Sequence, residues 1–268
     1  MSELTATDRY RQAARALACL DLTSLNLDDT PERIDALCDR ALLPAPGIEL
    51  HPAAVCIYPR FVSQAVARLQ GSGIAVAAVA NFPLGTSSIT RVADEAEQAL
   101  TDGANEIDVV FPFRAYMAGD HSGPAELVHR VAILCHRGRS AVLKVILETG
   151  VLHDAAMIKA AARVAVNNGA DFLKTSTGKL EPAATPVAAQ ALLEVIIDVR
   201  NDGNHVGLKV AGGVKTVADA AGYLDLADRY MAPELAAPTN FRFGASGLLN
   251  DIVAVLGSSH ATQLPSEY

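Results

Sequence analysis

The sequence predicts a closed (β/α)8 (TIM) barrel formed by a single domain. Eight short apolar segments recur roughly every 30 residues, and amphipathic segments with helix-start and helix-stop residues separate them. The apolar segments are nearly continuous, which is typical of parallel strands that are covered on both faces. Half of the 268 residues are hydrophobic and 19% are charged, so the chain can bury a large core. Eight such units in about 250 residues fit a barrel better than an open sheet.

The predicted elements follow one another without a linker. We expect an extra helix within residues 1–15, one domain over residues 1–268 and a flexible polar tail over residues 258–268. The strand candidates are Ala16–Thr23, Ala53–Pro59, Ala75–Pro83, Glu106–Pro112, Ala141–Glu148, Asp171–Thr177, His205–Gly212 and Phe241–Ser246. A doubly wound open sheet is the alternative. No Gly-x-Gly-x-x-Gly motif follows the first strand, so a Rossmann dinucleotide site has no support.

Local signals mark the ends of several intervening helices. Thr30 and Thr185 each place a capping hydroxyl directly before a proline, which suits the first helical turn. Gly103 and Gly169 follow stripes of apolar residues at helical spacing. They are suitable stops because glycine readily adopts the left-handed backbone found at helix C-termini.

Composition restricts the partners and the compartment. The net charge of -8 disfavours binding to nucleic acid or to an anionic membrane surface, so an anionic substrate must meet a local basic pocket. The N-terminal residues lack the apolar core of a secretory signal, and no apolar run approaches the roughly 20 residues of a membrane helix. Four cysteines without Cys-x-x-Cys spacing are predicted to be buried and reduced. We therefore expect a cytoplasmic protein.

Three lysines interrupt apolar, β-branched segments, where a purely structural role is costly. Only six of the 22 basic residues are lysines, and Lys144, Lys174 and Lys209 lie within strand candidates. Desolvating an unpaired ammonium group is unfavourable and usually lowers its pKa instead. The alternative is that these lysines lie at strand edges and extend their ammonium groups to solvent.

Strand alternation places these lysines together with a carboxylate. Side chains at every second position of a strand share a face. If the faces that carry lysine point inward, the barrel interior brings together Asp108, Lys144, Lys174 and Lys209. Asp21, on the first strand, is expected to join them and to pair with Lys144.

Two ammonium groups in a cavity of low dielectric favour the loss of one proton. A free lysine titrates at about 10.4, and burial beside a cation can lower such a value to about 7–8. A neutral amine attacks a carbonyl to form an imine, which withdraws electrons from the adjacent carbon. We predict that Lys174 is the nucleophile, Lys209 its cationic neighbour and Asp108 the proton carrier. A purely structural ion-pair role for Asp108 is the alternative.

Glycine-rich segments after the sixth, seventh and eighth strands are typical of a phosphate site. Glycines let backbone N–H groups approach an oxyanion, and loops 7 and 8 of barrels commonly bind phosphate. The segments are Gly178-Lys179, Ala211–Thr216 and Gly244–Gly247. The alternative is that these glycines only make tight turns. The seven histidines show neither His-x-His nor His-Glu-x-x-His spacing, so we expect no metal site.

Seven segments resemble the deoxyribose-phosphate aldolase family in order and spacing. They are Leu20–Thr23, Cys56–Phe61, Asn81–Pro83, Glu106–Pro112, Leu143–Glu148, Phe172–Lys179 and Ala211–Val214. The Lys-Thr-Ser-Thr-Gly sequence is highly specific, and the match covers nearly the whole chain. The resemblance implies reversible cleavage of 2-deoxy-D-ribose 5-phosphate to D-glyceraldehyde 3-phosphate and acetaldehyde in deoxynucleoside catabolism, without a cofactor.

The resemblance also implies site residues and assembly. The Schiff-base lysine of the family matches Lys174, its proton-relay aspartate matches Asp108 and its second catalytic lysine matches Lys209. Substrate contacts carry over to Thr23, Gly178, Lys179, Gly212, Gly213, Gly244, Ser246 and Gly247. The resemblance further implies a homodimer or homotetramer that acts on small phosphosugar and aldehyde substrates.

Several positions depart from the family pattern. Val210 replaces a proline, Lys215 replaces a common arginine, and Gly247 stands where a second serine can occur. The last change removes a hydroxyl from the expected phosphate site. In some relatives a C-terminal tyrosine swings over the site, and Tyr268 fits either that role or a solvated tail.

Two other functions compete with this hypothesis. One is another Schiff-base lyase or transaldolase that acts on a longer sugar phosphate and needs room for a ketone donor. The other is a catalytically silent barrel that binds sugar phosphate. The presence of Lys174, Lys209 and Asp108 disfavours the silent barrel.

Overall fold

Eight parallel strands close into a barrel in chain order, with β1 paired to both β2 and β8. The strands are Leu20–Thr23 (β1), Ala54–Ile57 (β2), Ala75–Ala80 (β3), Glu106–Val110 (β4), Val142–Ile146 (β5), Phe172–Lys174 (β6), Gly207–Ala211 (β7) and Phe241–Ala245 (β8). The structure is a computed structural model that describes residues 5–45, 47–138, 140–201, 203, 205–233 and 236–261. The predicted (β/α)8 barrel is therefore confirmed.

Helices connect successive strands and cover the outside of the barrel. They are Ala6–Ala18 (α1), Pro31–Leu42 (α2), Val62–Arg68 (α3), Ile89–Thr101 (α4), Phe113–Met117 (α5), Ser122–His136 (α6), Thr149–Leu152 (α7), Ala155–Asn167 (α8), Pro186–Asn201 (α9), Val217–Met231 (α10) and Leu248–Ala261 (α11). A short 3-10 helix, Pro59–Phe61, precedes α3. Helix α1 is the extra N-terminal helix that the sequence predicts, and it contacts α10 and α11.

All eight strand candidates contain a strand, and each strand is shorter than its candidate. Residues Ala16–Ala18 of the first candidate belong to α1 instead, because the helix continues until the Cys19 N–H donates to the Arg15 carbonyl. Helix α11 extends to Ala261, past residue 258 where the sequence predicts a tail. Residues 262–268, including Tyr268, lie outside the described residues.

The helix-end signals act as predicted. Thr30 Oγ1 accepts a hydrogen bond from Arg33 N at 3.4 Å, and Thr185 Oγ1 accepts one from Ala188 N at 3.1 Å. Gly103 and Gly169 have φ angles of 104° and 99°, in the region that favours glycine. Thr30 and Thr185 therefore cap the starts of helices, and Gly103 and Gly169 follow the ends of helices.

The apolar core lies between the barrel and its helices. Leu143, Leu173 and Leu208, on three neighbouring strands, are fully buried, and the next residue in each of these strands is a lysine on the opposite face. The four cysteines are buried and free, as predicted. Among the described residues, no helix has the length and apolar character required to cross a membrane.

Candidate active site

Four cations and three carboxylates meet inside the barrel, and we call them the charge cluster. Its members are Asp21 on β1, Glu106 and Asp108 on β4, Lys144 on β5, Lys174 on β6, Lys209 on β7 and Arg242 on β8. Each member is at most 7% exposed. The register pairs Asp108 with Lys144 and Lys174 with Lys209. The predicted convergence of the three lysines with Asp108 and Asp21 is confirmed.

Asp108 lies at the centre of the charge cluster. Its Oδ2 accepts hydrogen bonds from Lys174 Nζ and Lys209 Nζ, both at 2.7 Å, and its Oδ1 accepts one from Lys144 Nζ at 2.9 Å. Burial alone would raise the pKa of Asp108, but the three ammonium groups hold that pKa well below its usual range. Asp108 is therefore an ionised carboxylate in direct contact with the candidate nucleophile.

Two of the buried lysines are held in the protonated form. Burial opposes the charge of Lys209, but Asp108 and Asp21 outweigh burial and raise the pKa of Lys209 above its ordinary value. The pKa of Lys144 is raised in the same way, against burial, chiefly by Asp108 and Glu106. Lys209 thus remains an ammonium ion that shares a carboxylate oxygen with Lys174.

The expected partnership of Lys144 with Asp21 is a secondary contact. Lys144 Nζ lies 3.5 Å from Asp21 Oδ2, whereas it donates hydrogen bonds to Glu106 and Asp108. Asp21 is held instead by Lys209 and by a residue on the last strand. Lys144 bonds Glu106 and Asp108 because the strands that carry them, β4 and β5, are adjacent.

Arg242 is the fourth cation of the charge cluster, and the sequence interpretation missed it. Its guanidinium donates to Asp21 at 2.6 Å and to Glu106 at 2.9 Å. The signal was present, because Arg242 stands between Phe241 and Phe243 in an apolar strand. The same reasoning that selected the strand lysines applies to this arginine.

A cavity of about 490 Å³ opens beyond the carboxyl ends of the strands. Of the seven members of the charge cluster, Lys174 alone lines it, so this amine is the group that a ligand can reach. The predicted substrate-binding residues all line the cavity: Thr23, Gly178, Lys179, Gly212, Gly213, Gly244, Ser246 and Gly247. Asp108 and Lys209 are fully buried; Asp108 accepts from Lys174, and Lys209 donates to the same Asp108 oxygen.

One wall of the cavity, which we call the glycine rim, presents backbone donors. It comprises Gly212 and Gly213 after β7 and Ser246 and Gly247 before α11. None of these four N–H groups finds an acceptor in the part of the chain that the structure describes. Both glycines after β7 have φ of 86°, so a side chain there would be strained. Free N–H groups beside a helix N-terminus form a site suited to an anion.

Besides Lys174, three cationic side chains line the same cavity, namely Arg40, Lys179 and Lys215. Arg40 lies on α2 and donates a hydrogen bond to Asn250 in the first turn of α11. The sequence interpretation missed Arg40, because an exposed arginine on a remote helix carries no signal that distinguishes it from the others. Together these cations provide the local positive charge that an acidic chain needs to attract an anion.

The side of the barrel formed by β2 and β3 is apolar. Leu25, Cys56, Ala77 and Val79 form a small buried cluster against which Tyr58 and Phe82 pack. Cys56 Sγ lies 3.8 Å from Asp108 Oδ2, and burial raises the pKa of this thiol. Asp108, which bonds Lys174, therefore also meets the Cys56 thiol of this apolar cluster.

Comparison with known proteins identifies relatives along nearly the whole chain. The model of the DeoC/LacD family aldolases matches residues 15–252. The chain is 46% identical over 258 residues to a deoxyribose-phosphate aldolase of Agrobacterium fabrum, and the match covers 96% of each protein.

Solved structures share the fold. A Toxoplasma gondii ME49 protein, provisionally described as a deoxyribose-phosphate aldolase, superposes with a TM-score of 0.84 at 26% identity and covers 98% of this chain and 100% of its own. A tetrameric deoxyribose phosphate aldolase from Aeropyrum pernix has a TM-score of 0.70 at 24% identity, with coverage of 97% and 100%. At that identity the second similarity supports the barrel fold alone.

Proposed function

Because the chain belongs to the DeoC/LacD family of aldolases, we propose that it reversibly cleaves 2-deoxy-D-ribose 5-phosphate to D-glyceraldehyde 3-phosphate and acetaldehyde. One observation carries the proposal. The amine of Lys174 borders the cavity and bonds the same Asp108 oxygen, at 2.7 Å, as the buried ammonium of Lys209. A lysine so placed can become a nucleophile next to fixed proton donors and acceptors.

The charge cluster contains one more cation than carboxylates. With all groups ionised it holds four cations and three carboxylates. Arg242 stays charged, and the raised pKa values of Lys144 and Lys209 keep those lysines protonated. Lys174 is the remaining cation and the one that a substrate can reach.

The reaction then proceeds through an imine on Lys174. The neutral amine adds to the carbonyl carbon of the sugar aldehyde, and water leaves to give a protonated imine. Asp108, which bonds both Lys174 and Lys209, accepts and returns the protons of these steps. The hydroxyl on the third carbon gives its proton, through a water, to Asp108 as the bond between the second and third carbons breaks. The electrons of that bond pass into the imine, and the glyceraldehyde phosphate departs as an aldehyde. Protonation of the resulting enamine and hydrolysis release acetaldehyde.

The glycine rim and the neighbouring cations hold the phosphate. Gly212, Gly213, Ser246 and Gly247 offer N–H groups that have no acceptor among the described residues, while Arg40, Lys179 and Lys215 supply charge. This contact fixes the distance between the phosphate and the carbonyl carbon at Lys174. The enzyme acts on small molecules and requires no cofactor in this mechanism.

The assembly and compartment also belong to the proposal. We place the enzyme in the cytoplasm, in deoxynucleoside catabolism, as a homodimer or homotetramer. Size-exclusion chromatography with light scattering tests the assembly, since a monomer at micromolar concentration would contradict it.

The decisive experiment is reductive trapping. The protein is incubated with acetaldehyde, reduced with borohydride, digested and analysed by peptide mass spectrometry. We expect an ethyl group on Lys174 alone, and deoxyribose 5-phosphate in place of acetaldehyde should label the same lysine, because its imine and the acetaldehyde imine both form there. Lys174→Met should abolish the adduct, while Lys159→Met, at an exposed ion pair with Glu194, should retain it. No adduct, or labelling spread over surface amines, would leave a sugar-phosphate-binding barrel without this chemistry.

A further inference from the structure

Glu148 is a buried acid that the proposed reaction does not use. It follows β5, is fully buried and forms no ion pair with any residue that the structure describes. Its backbone is left-handed, with φ of 55° and ψ of 57°, which is uncommon for a residue that is neither glycine nor asparagine. Such backbone conformations persist where the surroundings determine them, and they concentrate at functional sites.

The carboxylate of Glu148 binds a single residue of the next loop. Its two oxygens accept from the Thr177 N–H at 3.3 and 3.4 Å, and Oε2 accepts from Thr177 Oγ1 at 2.5 Å. Thr177 Oγ1 in turn accepts from the Lys179 N–H at 3.1 Å. A chain of hydrogen bonds therefore runs from the end of β5 through Thr177 to the Gly178-Lys179 wall of the cavity.

The chemistry of this contact calls for a carboxylate. Thr177 presents two donors, its N–H and its hydroxyl; Oε2 of Glu148 accepts from both, and Oε1 lies within hydrogen-bond distance of the same N–H. A glutamine at this position would place an NH2 group against one of these donors. The contact is therefore specific for the acid as well as for the size of the side chain.

The same loop is packed tightly on both sides. A Cβ on Gly150, two residues after Glu148, would lie 1.6 Å from the Pro182 carbonyl oxygen. A Cβ on Gly212 would lie 2.5 Å from Ala183 Cβ. The loop after β6 is therefore confined between the turn that follows β5 and the glycine rim.

We propose that Glu148 is a positioning residue that sets the preference for phosphorylated sugar, by holding Thr177 and hence the Gly178-Lys179 wall. This inference rests on the proposed function and deepens it. Glu148 acts through Thr177 on the distal end of the substrate, whereas the chemistry at Lys174 has its own partners in the charge cluster.

The test compares two substrates in matched variants. Values of kcat/KM are measured for deoxyribose 5-phosphate and for unphosphorylated deoxyribose in wild type, Glu148→Gln, Thr177→Val and the double variant. We expect the ratio of the two values to fall at least tenfold in each single variant, with no further fall in the double variant, because both changes break one contact. Asp171→Asn is the control, since its carboxylate also accepts a backbone N–H, from Leu143, but precedes β6 at the other end of the barrel.

Two outcomes would overturn the inference. One is a ratio within twofold of wild type in folded Glu148→Gln, and the other is additive losses in the double variant. If Glu148→Gln does not fold, Thr177→Val and Thr177→Ser decide, because serine keeps the hydroxyl. Loss with valine but not with serine supports the inference, and equal ratios overturn it. Wild-type trapping at Lys174 separates the two proposals, because its absence counts against the aldolase reaction alone.

Discussion

The charge cluster and the glycine rim lie on two sides of Lys174 and are built in opposite ways. The charge cluster consists of side chains on strands, and its principal contacts are hydrogen bonds between buried charges. The glycine rim consists of loop backbone whose four N–H groups find no acceptor among the described residues. The satisfied region is suited to hold a reactive group in place, and the unsatisfied region is suited to receive a ligand.

The largest effect is expected at the centre of the charge cluster. Asp108→Asn removes the carboxylate that three lysines share and leaves a buried excess of positive charge. We expect a loss of about 3–5 kcal/mol in the free energy of unfolding, together with a fall in kcat/KM of at least about 10³-fold, since the proton carrier is lost. Urea denaturation and steady-state kinetics measure the two quantities.

The matched control is Asp198→Asn. Asp198 forms an exposed ion pair with Arg163 at 2.6 Å, and loss of such a pair costs about 0–1 kcal/mol. If Asp108→Asn destabilised the protein no more than this control, the charge cluster would not be the rigid region that the structure indicates.

The pH dependence of stability sharpens this test. The pKa of Asp108 is lowered in the folded protein, so its stabilisation is complete above the unfolded value of about 3.9 and is lost as the pH falls through the folded value. The pKa values of Lys144 and Lys209 are raised, so their stabilisation is complete below about 10.4 and is lost as the pH rises through the folded values. The difference between wild type and Asp108→Asn should stay constant from about pH 5 to 9 and shrink below about pH 4. If the difference in unfolding free energy between wild type and Asp108→Asn were instead largest in acid, Asp108 would not be the ionised partner of the lysines.

Sequence reasoning succeeded where periodicity fixes geometry. Alternation along the strands is sufficient to place Asp108, Lys144, Lys174 and Lys209 on one face, since the parallel register then brings them together. It identified Asp21 as a partner of Lys144 but not the closer partners of that lysine, because which carboxylate bonds which lysine depends on the order of the strands and on side-chain length. Lys144 accordingly bonds Glu106 and Asp108 more closely than Asp21.

Sequence reasoning was weaker at the loops. Glycine pairs after the seventh and eighth strands indicated the position of the glycine rim, but they carry no information about which distant side chain completes it. Arg40 lines the cavity from α2, and Glu148, which follows β5, bonds Thr177 in the loop after β6. Neither contact follows from a period of two or of 3.6, so only the folded structure reveals them.

An intermediate effect is expected where the loop after β6 meets the turn after β5. Gly150→Ala would bring a Cβ within 1.6 Å of the Pro182 carbonyl oxygen, so the backbone must shift. We expect a loss of about 1–3 kcal/mol in stability and a weaker preference for phosphorylated substrate. Gly222→Ala in α10 is the matched control, because its Cβ meets open space, and it should gain up to about 1 kcal/mol. Equal unfolding free energies for the two variants would show that the loop is not confined.

The smallest effect is expected at the cationic edge of the glycine rim. The Arg40 guanidinium lies against Asn250 in the first turn of α11. Its positive charge and the partial positive charge of the helix N-terminus therefore repel each other, and no described carboxylate pairs with Arg40. A bound phosphate relieves this repulsion, and we expect Arg40→Gln to lower the ratio of kcat/KM between phosphorylated and unphosphorylated sugar about tenfold, or about 1.4 kcal/mol. The melting temperature should not change.

Arg33→Gln is the matched control for Arg40→Gln, because Arg33 lies on the same helix and its exposed guanidinium pairs with Asp28 at 2.7 Å. Its ratio should equal that of wild type. If Arg40→Gln also kept the wild-type ratio, the free N–H groups of the glycine rim would bind phosphate without this guanidinium. The contrast between the two sides of Lys174 would then be complete, with side-chain charge in the barrel interior and backbone dipoles at the rim.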